Sequence, residues 1–227
     1  MVHAASDRLV AGAPGSWVAI VPLRNFATAK SRLRTHLSDE VVETLMRDVS
    51  SAVLHQLGRS GAVGRILVVS DADLSEELAG RHREDQVETL VQSPVGGLNE
   101  AVAEAVCHIR AQDGMSPLLV IHADLPYLGA AEVDRLLGEV ERLGKDAFVP
   151  DCSGRGSTVI ALLPGSPRRA AFGPDSAARH AESGFTEIQL PQQSGLRHDL
   201  DTAEHYLSYL RHTGRRPGAG TVSPSQR

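Results

Sequence analysis

Aromatic side chains are scarce, making up 4% of the 227 residues. A core must then be built from Val, Leu, Ile and Ala, which suits a parallel sheet covered by helices better than an aromatic-rich β-sandwich. Cysteine is nearly absent. Cys107 and Cys152 stand far apart without CxxC spacing, which argues against a disulfide framework or thiolate zinc site and points to a reducing compartment. The ten histidines show neither HxH nor HExxH spacing, so no zinc site is expected. There is no excess of positive charge: the net charge is -5, which argues against a nucleic-acid partner. No apolar run approaches membrane-span length, and residues 1–16 lack the apolar centre of a secretion signal. A soluble, cytoplasmic protein with no membrane partner is expected. Walker A and GxGxxG patterns are both missing, so P-loop NTPases and dinucleotide-binding oxidoreductases lose their main support.

What is present is a hydrophobic fraction of 41%, arranged in alternation. Short apolar runs at 17–23 (WVAIVPL), 65–70, 87–91, 118–122 (LLVIH), 147–149, 159–163 and 186–190 read as strands. Helical patterns lie between them at 73–80, 98–110 and 130–143, with another opened by Ser38, Asp39 and Glu40 and a last one at 202–211. Strands separated by such helices make βαβ units and a mostly parallel α/β sheet. Residues 1–15 and 213–227 lack periodicity and read as disordered tails around one domain at 16–212. Ligands of such sheets bind beyond the carboxyl ends of the strands, which directs attention to the loops after Leu23, Ser70, Val91 and His122.

Several of those loops are chemically unusual. The segment 24–34 (RNFATAKSRLR) carries Arg24, Lys30, Arg32 and Arg34 with no acidic residue, which suits a polyphosphate, whose charges must be neutralised together. Next, the apolar strand at 118–121 leads to His122, Ala123, Asp124, Leu125 and Pro126. It delivers Asp124 where a carboxylate can hold Mg²⁺ against phosphate oxygens, or simply cap a turn. In 197–202 (RHDLDT) the alternation puts Asp199 and Asp201 on one side and Leu200 on the other. Paired carboxylates repel unless a cation lies between them, although Asp201 can also N-cap the helix that follows. In 172–180 (FGPDSAARH) Gly173 permits close approach of a ligand to the backbone, and Arg179 and His180 can add charge. The stretch 153–158 (SGRGST) suits either an anion cradle that includes Ser157 or a hairpin turn. Gly96, Gly97, Leu98 and Asn99 open a helix, where Asn99 can read a base edge or serve the first turn. Cys107, on an apolar helical pattern, is expected in the core, and His122 is expected to be structural.

Taken together and in this order, the basic loop, GLNEA, ADLP, GRGST, FGPDSAARH and DLDT resemble the CofC/FbiD family, the guanylyltransferases of coenzyme F420 biosynthesis. The resemblance spans about 18–210, and FGPDSxxRH is its most distinctive string. It implies a single Rossmann-like α/β nucleotidyltransferase domain with helices on both faces of a mostly parallel sheet. It also implies transfer of GMP from GTP to 2-phospho-L-lactate, phosphoenolpyruvate or 3-phosphoglycerate. Phosphoenolpyruvate is favoured because the Ala- and Arg-rich composition suits a GC-rich bacterial genome, and bacterial members mostly use it. By motif, Lys30 and Arg32 resemble the triphosphate-binding residues, and Arg24 stands where a Lys is frequent. Asp124, Asp199 and Asp201 resemble the carboxylates that bind Mg²⁺, with Mn²⁺ a possible substitute. Ser157 (replacing a Thr), Gly173 and Ser176 match the phosphoenolpyruvate-binding positions, and Gly97, Leu98 and Asn99 the guanine-side segment. A downstream F420 transferase is the implied partner. A molybdenum-cofactor nucleotidyltransferase would carry a Gly-rich LAGGxSxRMG-like loop in place of RNFATAKSRL. A non-catalytic nucleotide-binding module would have Asp199 and Asp201 turned away from Asp124.

Overall fold

A computed structural model describes residues 15–23, 30–71, 87–92 and 96–214. The helix expected at 73–80 and nearly all of the two expected tails lie outside these residues. The strands are β1 (Trp17–Pro22), β2 (Val63–Ser70), β3 (Val87–Val91), β4 (Leu118–Ile121), β5 (Ala147–Pro150), β6 (Ser157–Leu162) and β7 (Thr186–Glu187). The helices are α1 (Ser31–Arg34), α2 (Asp39–Arg59), α3 (Leu98–Gln112), α4 (Ala130–Leu143), α5 (Ser176–Glu182) and α6 (Ala203–Thr213).

The seven strands form one sheet in the order β3-β2-β1-β4-β6-β5-β7. β1, β2, β3 and β4 run parallel, and β5 runs parallel to β7. β6 is antiparallel to both of its neighbours. β5 and β6 therefore form a hairpin. The Asp151 carboxylate closes its turn, accepting from Ser153 Oγ and from the backbone N–H groups of Arg155 and Gly156. The segment 153–158 is thus the turn and start of a hairpin. A tight turn can join only antiparallel strands, which is why β6 departs from the parallel rule.

The two-residue period of β1 divides the core. Trp17, Ala19 and Val21 face a cluster that includes Val49 and Leu57 of α2, Leu136 and Val140 of α4, and Tyr206 of α6. Val18 and Ile20 face a second cluster with Val102 and Ile109 of α3, Phe148, Phe172 and Ala177 of α5. Both faces of the sheet are therefore covered. This agrees with the near-continuous apolar strands of the sequence, since a strand buried on both sides has no position left for polar alternation.

Three local expectations need correction. Cys107 is exposed, because α3 turns Ala101, Val102, Ala105 and Ile109 inward and leaves position 107 on the outer side. The strand expected at 186–190 shrinks to β7, Thr186–Glu187. The last helix is capped by Thr202, whose Oγ1 accepts from His205 N–H at 3.2 Å, leaving Asp201 free of that duty. Among the described residues no helix is long and apolar enough to cross a membrane.

Leu119, in the central strand β4, is fully buried. Leu119→Ala should lower unfolding free energy by about 2–5 kcal/mol in urea titration. A loss under about 1 kcal/mol would show that the core closes around the gap.

Candidate active site

Strand order reverses direction between β1 and β4, the switch point where an open α/β sheet leaves a crevice. A cleft of about 610 Å³ lies there. Pro22 and Leu23 reach it from the end of β1, and His122, Ala123 and Asp124 from the end of β4. Lys30, Ser31 and Arg32 form a third part of the wall, Gly97 to Glu100 a fourth, and Phe172, Gly173 and Asp201 complete it. Of the loops singled out by position, those after Leu23, Val91 and His122 contribute described residues to the cleft. Arg24 lies outside the described residues.

Lys30 stands between two carboxylates in this cleft. Its ammonium donates to Asp124 Oδ2 and to Asp201 Oδ1. Lys30 has a φ of 60°, a left-handed conformation that is uncommon for a side chain with a Cβ and that marks functional turns. The carbonyl of Lys30 accepts from Leu33 and Arg34 N–H as α1 begins, and Leu33 is fully buried, which anchors the turn. Burial acts to lower the Lys30 pKa, but the two carboxylates outweigh it and hold the pKa above its ordinary value. Burial likewise acts to raise Asp124, and the Lys30 charge holds it below the usual carboxylate range. Arg32 is exposed on the cleft wall.

The acidic segment is stitched in from both sides. Leu200 N–H donates to the Asp124 carbonyl at 3.0 Å, and Leu200 itself is fully buried. Upstream, Thr158 Oγ1 donates to the Leu196 carbonyl and Arg197 donates to the carbonyls of Leu190 and Asp151. A Cβ on Gly195 would lie 2.0 Å from the Tyr127 carbonyl oxygen, so only glycine fits at that close approach. Asp201 therefore arrives beside Asp124 on the shared Lys30 ammonium, and Asp199 lies near enough to feel both charges. The Asp199 carboxyl is pushed up to about 7, first by burial and then by the charges of Asp124 and Asp201.

Among the described residues, no group of three His, Cys, Asp or Glu side chains is arranged to hold a metal ion; the Lys30 ammonium bridges Asp124 and Asp201 instead. The donor chemistry nevertheless fits a hard divalent cation, which takes carboxylate oxygens. Asp124 Oδ1 is buried with no hydrogen-bond partner. Asp199 retains its proton more readily than an ordinary carboxyl because it is buried and faces the charges of Asp124 and Asp201.

The opposite wall is built by α3 and the loop before α5. Asn99 makes two hydrogen bonds to the backbone of Phe172, whose ring lies 4.7 Å from that of His122. Gly173 has a φ of 116° and lies in the wall, a conformation in which a side chain would be strained. Glu100 reaches back to Gly97 N–H at 2.9 Å, capping α3. Ser157 and Ser176 are buried, and the cleft wall there is formed by Gly173. Ser176 N–H donates to the Gly173 carbonyl, and Ser157 Oγ lies 2.9 Å from His180 Nδ1.

Two expectations change here. His180 adds no charge: it is fully buried among Phe148, Phe172 and Phe185. Burial, with the Arg179 charge second, pushes its pKa down to about 4. His122, expected to be structural, lines the cleft with its Nε2 buried and unpartnered. Its place at the tip of β4, one residue from the ADLP string, was the available signal. Phe172 and Glu100, also in the wall, were visible only as members of longer motifs.

Because native His180 stays neutral down to about pH 4 while the unfolded imidazole titrates near 6.5, the unfolded state binds the extra proton between those values. Stability should therefore fall as pH drops from about 6.5 toward about 4 and gain no further slope from this group below that. Replacing His180 by Asn should flatten that part of the urea-midpoint profile. An unchanged slope would assign it to other groups.

The chain matches the family model described as guanylyl transferase, CofC like, over residues 17–184. It is 35% identical over 195 residues to a Streptomyces coelicolor protein named phosphoenolpyruvate guanylyltransferase, with 86% of this chain and 90% of the relative covered. A Desulfovibrio desulfuricans G20 structure that carries the provisional name nucleotide-diphospho-sugar transferase shares the fold, with a TM-score of 0.65, 18% identity and 90% of each chain covered. A Mycobacterium tuberculosis H37Rv protein solved in complex with manganese shares it with a TM-score of 0.55 and 13% identity, over 86% of this chain and 98% of the other. The chain belongs to the CofC-like guanylyl transferase family.

Proposed function

We propose that this chain transfers GMP from GTP to phosphoenolpyruvate, with release of pyrophosphate, as a step in coenzyme F420 biosynthesis. The observation that carries this reading is the junction of Lys30, Asp124 and Asp201 inside a cleft at the β1/β4 switch point. Asp201 shares the Lys30 ammonium with Asp124, the opposite of what a non-catalytic module would require. The name of the S. coelicolor relative supports phosphoenolpyruvate as the acceptor.

The reaction follows from charge and position. An acceptor phosphate is largely ionised near neutral pH, so its oxygen can attack the α-phosphorus without a strong base. A new P–O bond forms as the bond to the β-phosphate bridging oxygen breaks, and pyrophosphate leaves with that electron pair. Lys30 has three N–H donors and gives two to Asp124 and Asp201, so one remains for a phosphate oxygen. Arg32, and Arg24 by the family resemblance, add the charge that neutralises the departing phosphates. Mg²⁺, or Mn²⁺ as in the M. tuberculosis structure, held by Asp124, Asp199 and Asp201, would supply Lewis-acid charge at the reacting phosphates when bound. Gly97 and Leu98 border the base side. Gly173 presents its backbone to the acceptor, backed by Ser176 and by Ser157 through His180. The product is a phosphoric anhydride open to hydrolysis, which suits direct use by a downstream transferase in the cytoplasm.

Pyrophosphate release from GTP with Mg²⁺ tests the reading, with phosphoenolpyruvate, 2-phospho-L-lactate and 3-phosphoglycerate offered separately and ATP and CTP as donor controls. Release with GTP and phosphoenolpyruvate is expected, and release only with another acid would reassign the acceptor. Asp124→Asn should lower kcat by about 100-fold or more with the fold intact by circular dichroism; near-normal turnover would remove Asp124 from the mechanism. Lys30→Ala should raise the KM for GTP about tenfold or more, and an unchanged KM would count against its contact with the phosphates.

A further inference from the structure

Asn99 stands in the segment that the family resemblance implies for the nucleotide base, and its amide is engaged by the backbone of Phe172. Its Nδ2 donates to the Phe172 carbonyl at 3.1 Å, and its Oδ1 accepts from Phe172 N–H at 2.8 Å. This is the two-point pattern by which one backbone pairs with another in a sheet, supplied here by a side chain across 73 residues of sequence. Both bonds are partly buried, so a lost partner would leave Phe172 polar groups without full access to water.

What the pair holds is part of the cleft. Phe172 precedes Gly173, and both line the wall. The stretch 170–174 is neither helix nor strand, so side chains must fix what a backbone ladder would fix elsewhere. The Phe172 ring packs at 4.7 Å from His122 and 5.3 Å from His180. Asn99 thus ties α3 to the loop that carries Gly173.

We propose that Asn99 is a positioning residue for the acceptor: its two hydrogen bonds to Phe172 hold the Gly173 backbone where the phosphorylated acid docks, and it does not read the base. The identity of that acid rests on the function proposed above; the clamp itself does not.

The test compares the full-length wild type with Asn99→Ala and Asn99→Asp. The aspartate keeps an oxygen for Phe172 N–H and loses the donor to the Phe172 carbonyl. Initial rates of pyrophosphate release are measured while varying phosphoenolpyruvate and GTP in turn, with ATP as competing donor. Asn99→Ala should raise the KM for phosphoenolpyruvate about tenfold, the scale of one or two lost hydrogen bonds, with Asn99→Asp in between. The KM for GTP and the preference for GTP over ATP should change less than about twofold. Collapse of that preference with an unchanged KM for the acid would make Asn99 a base reader and overturn the proposal. An equal rise in both KM values would reduce Asn99 to a general structural tie and overturn it too. Amide hydrogen exchange supplies a readout free of catalysis. In both variants the segment around Phe172 and Gly173 should exchange several-fold faster, with the interior of α3 unchanged; unaltered exchange there refutes the clamp. If the wild type turns over none of the three acids, the proposed function fails, and the exchange result still decides whether Asn99 positions the loop.

Discussion

The Lys30 ammonium lies between the carboxylates of Asp124 and Asp201, and the geometry of the cleft depends on that contact. It joins the first loop of the chain, the tip of the central strand β4 and the segment before the last helix. Two acids side by side would repel and one would take up a proton; a cation between them removes that repulsion. The balance is incomplete, since Asp199 shares the same neighbourhood and is pushed up to about 7. A cleft this rich in carboxylates has the donor chemistry of a hard divalent cation, which takes carboxylate oxygens.

The fold makes this meeting possible. A parallel sheet sends successive strand ends to the same side, and the reversal of order beside β1 opens a gap between the loops after β1 and β4. Both faces of the sheet are covered by helices, so the strands stay rigid while their ends carry the polar groups. The β5–β6 hairpin breaks the parallel rule with consequence. It brings Thr158 and Asp151 against the acidic segment and Ser157 against His180. The antiparallel strand therefore ties Asp199 and Asp201 on one side to the loop carrying Gly173 on the other.

Much of this was legible in the residues. The apolar strands and amphipathic helices follow from period and length, and most element ends fall within two residues of expectation, the usual uncertainty of helix and strand ends. Asp124, Asp201 and Lys30 could be chosen because carboxylates and a lysine at strand ends and in a basic loop have few uses in a core. The errors also have causes. Cys107 went astray because a helix face is set by which residues meet the sheet, which a pattern of several apolar residues leaves ambiguous by one position. His180 looked like a charge because sequence does not show the three phenylalanines that enclose it. The tie from Asn99 to Phe172 was not legible, because nothing in its local sequence reveals a partner 73 residues away.

By itself the sequence determined the fold class, the side of the sheet that carries the chemistry and the residue types available there, because periodicity, strand-end position and charge are local properties. Only the tertiary structure decided which of those groups meet: that Lys30 bridges Asp124 and Asp201, that Asn99 turns to Phe172, and that Ser157 and Ser176 lie behind Gly173. Those pairings join segments that are distant along the chain, and they are fixed by packing on both faces of the sheet, which no local pattern encodes.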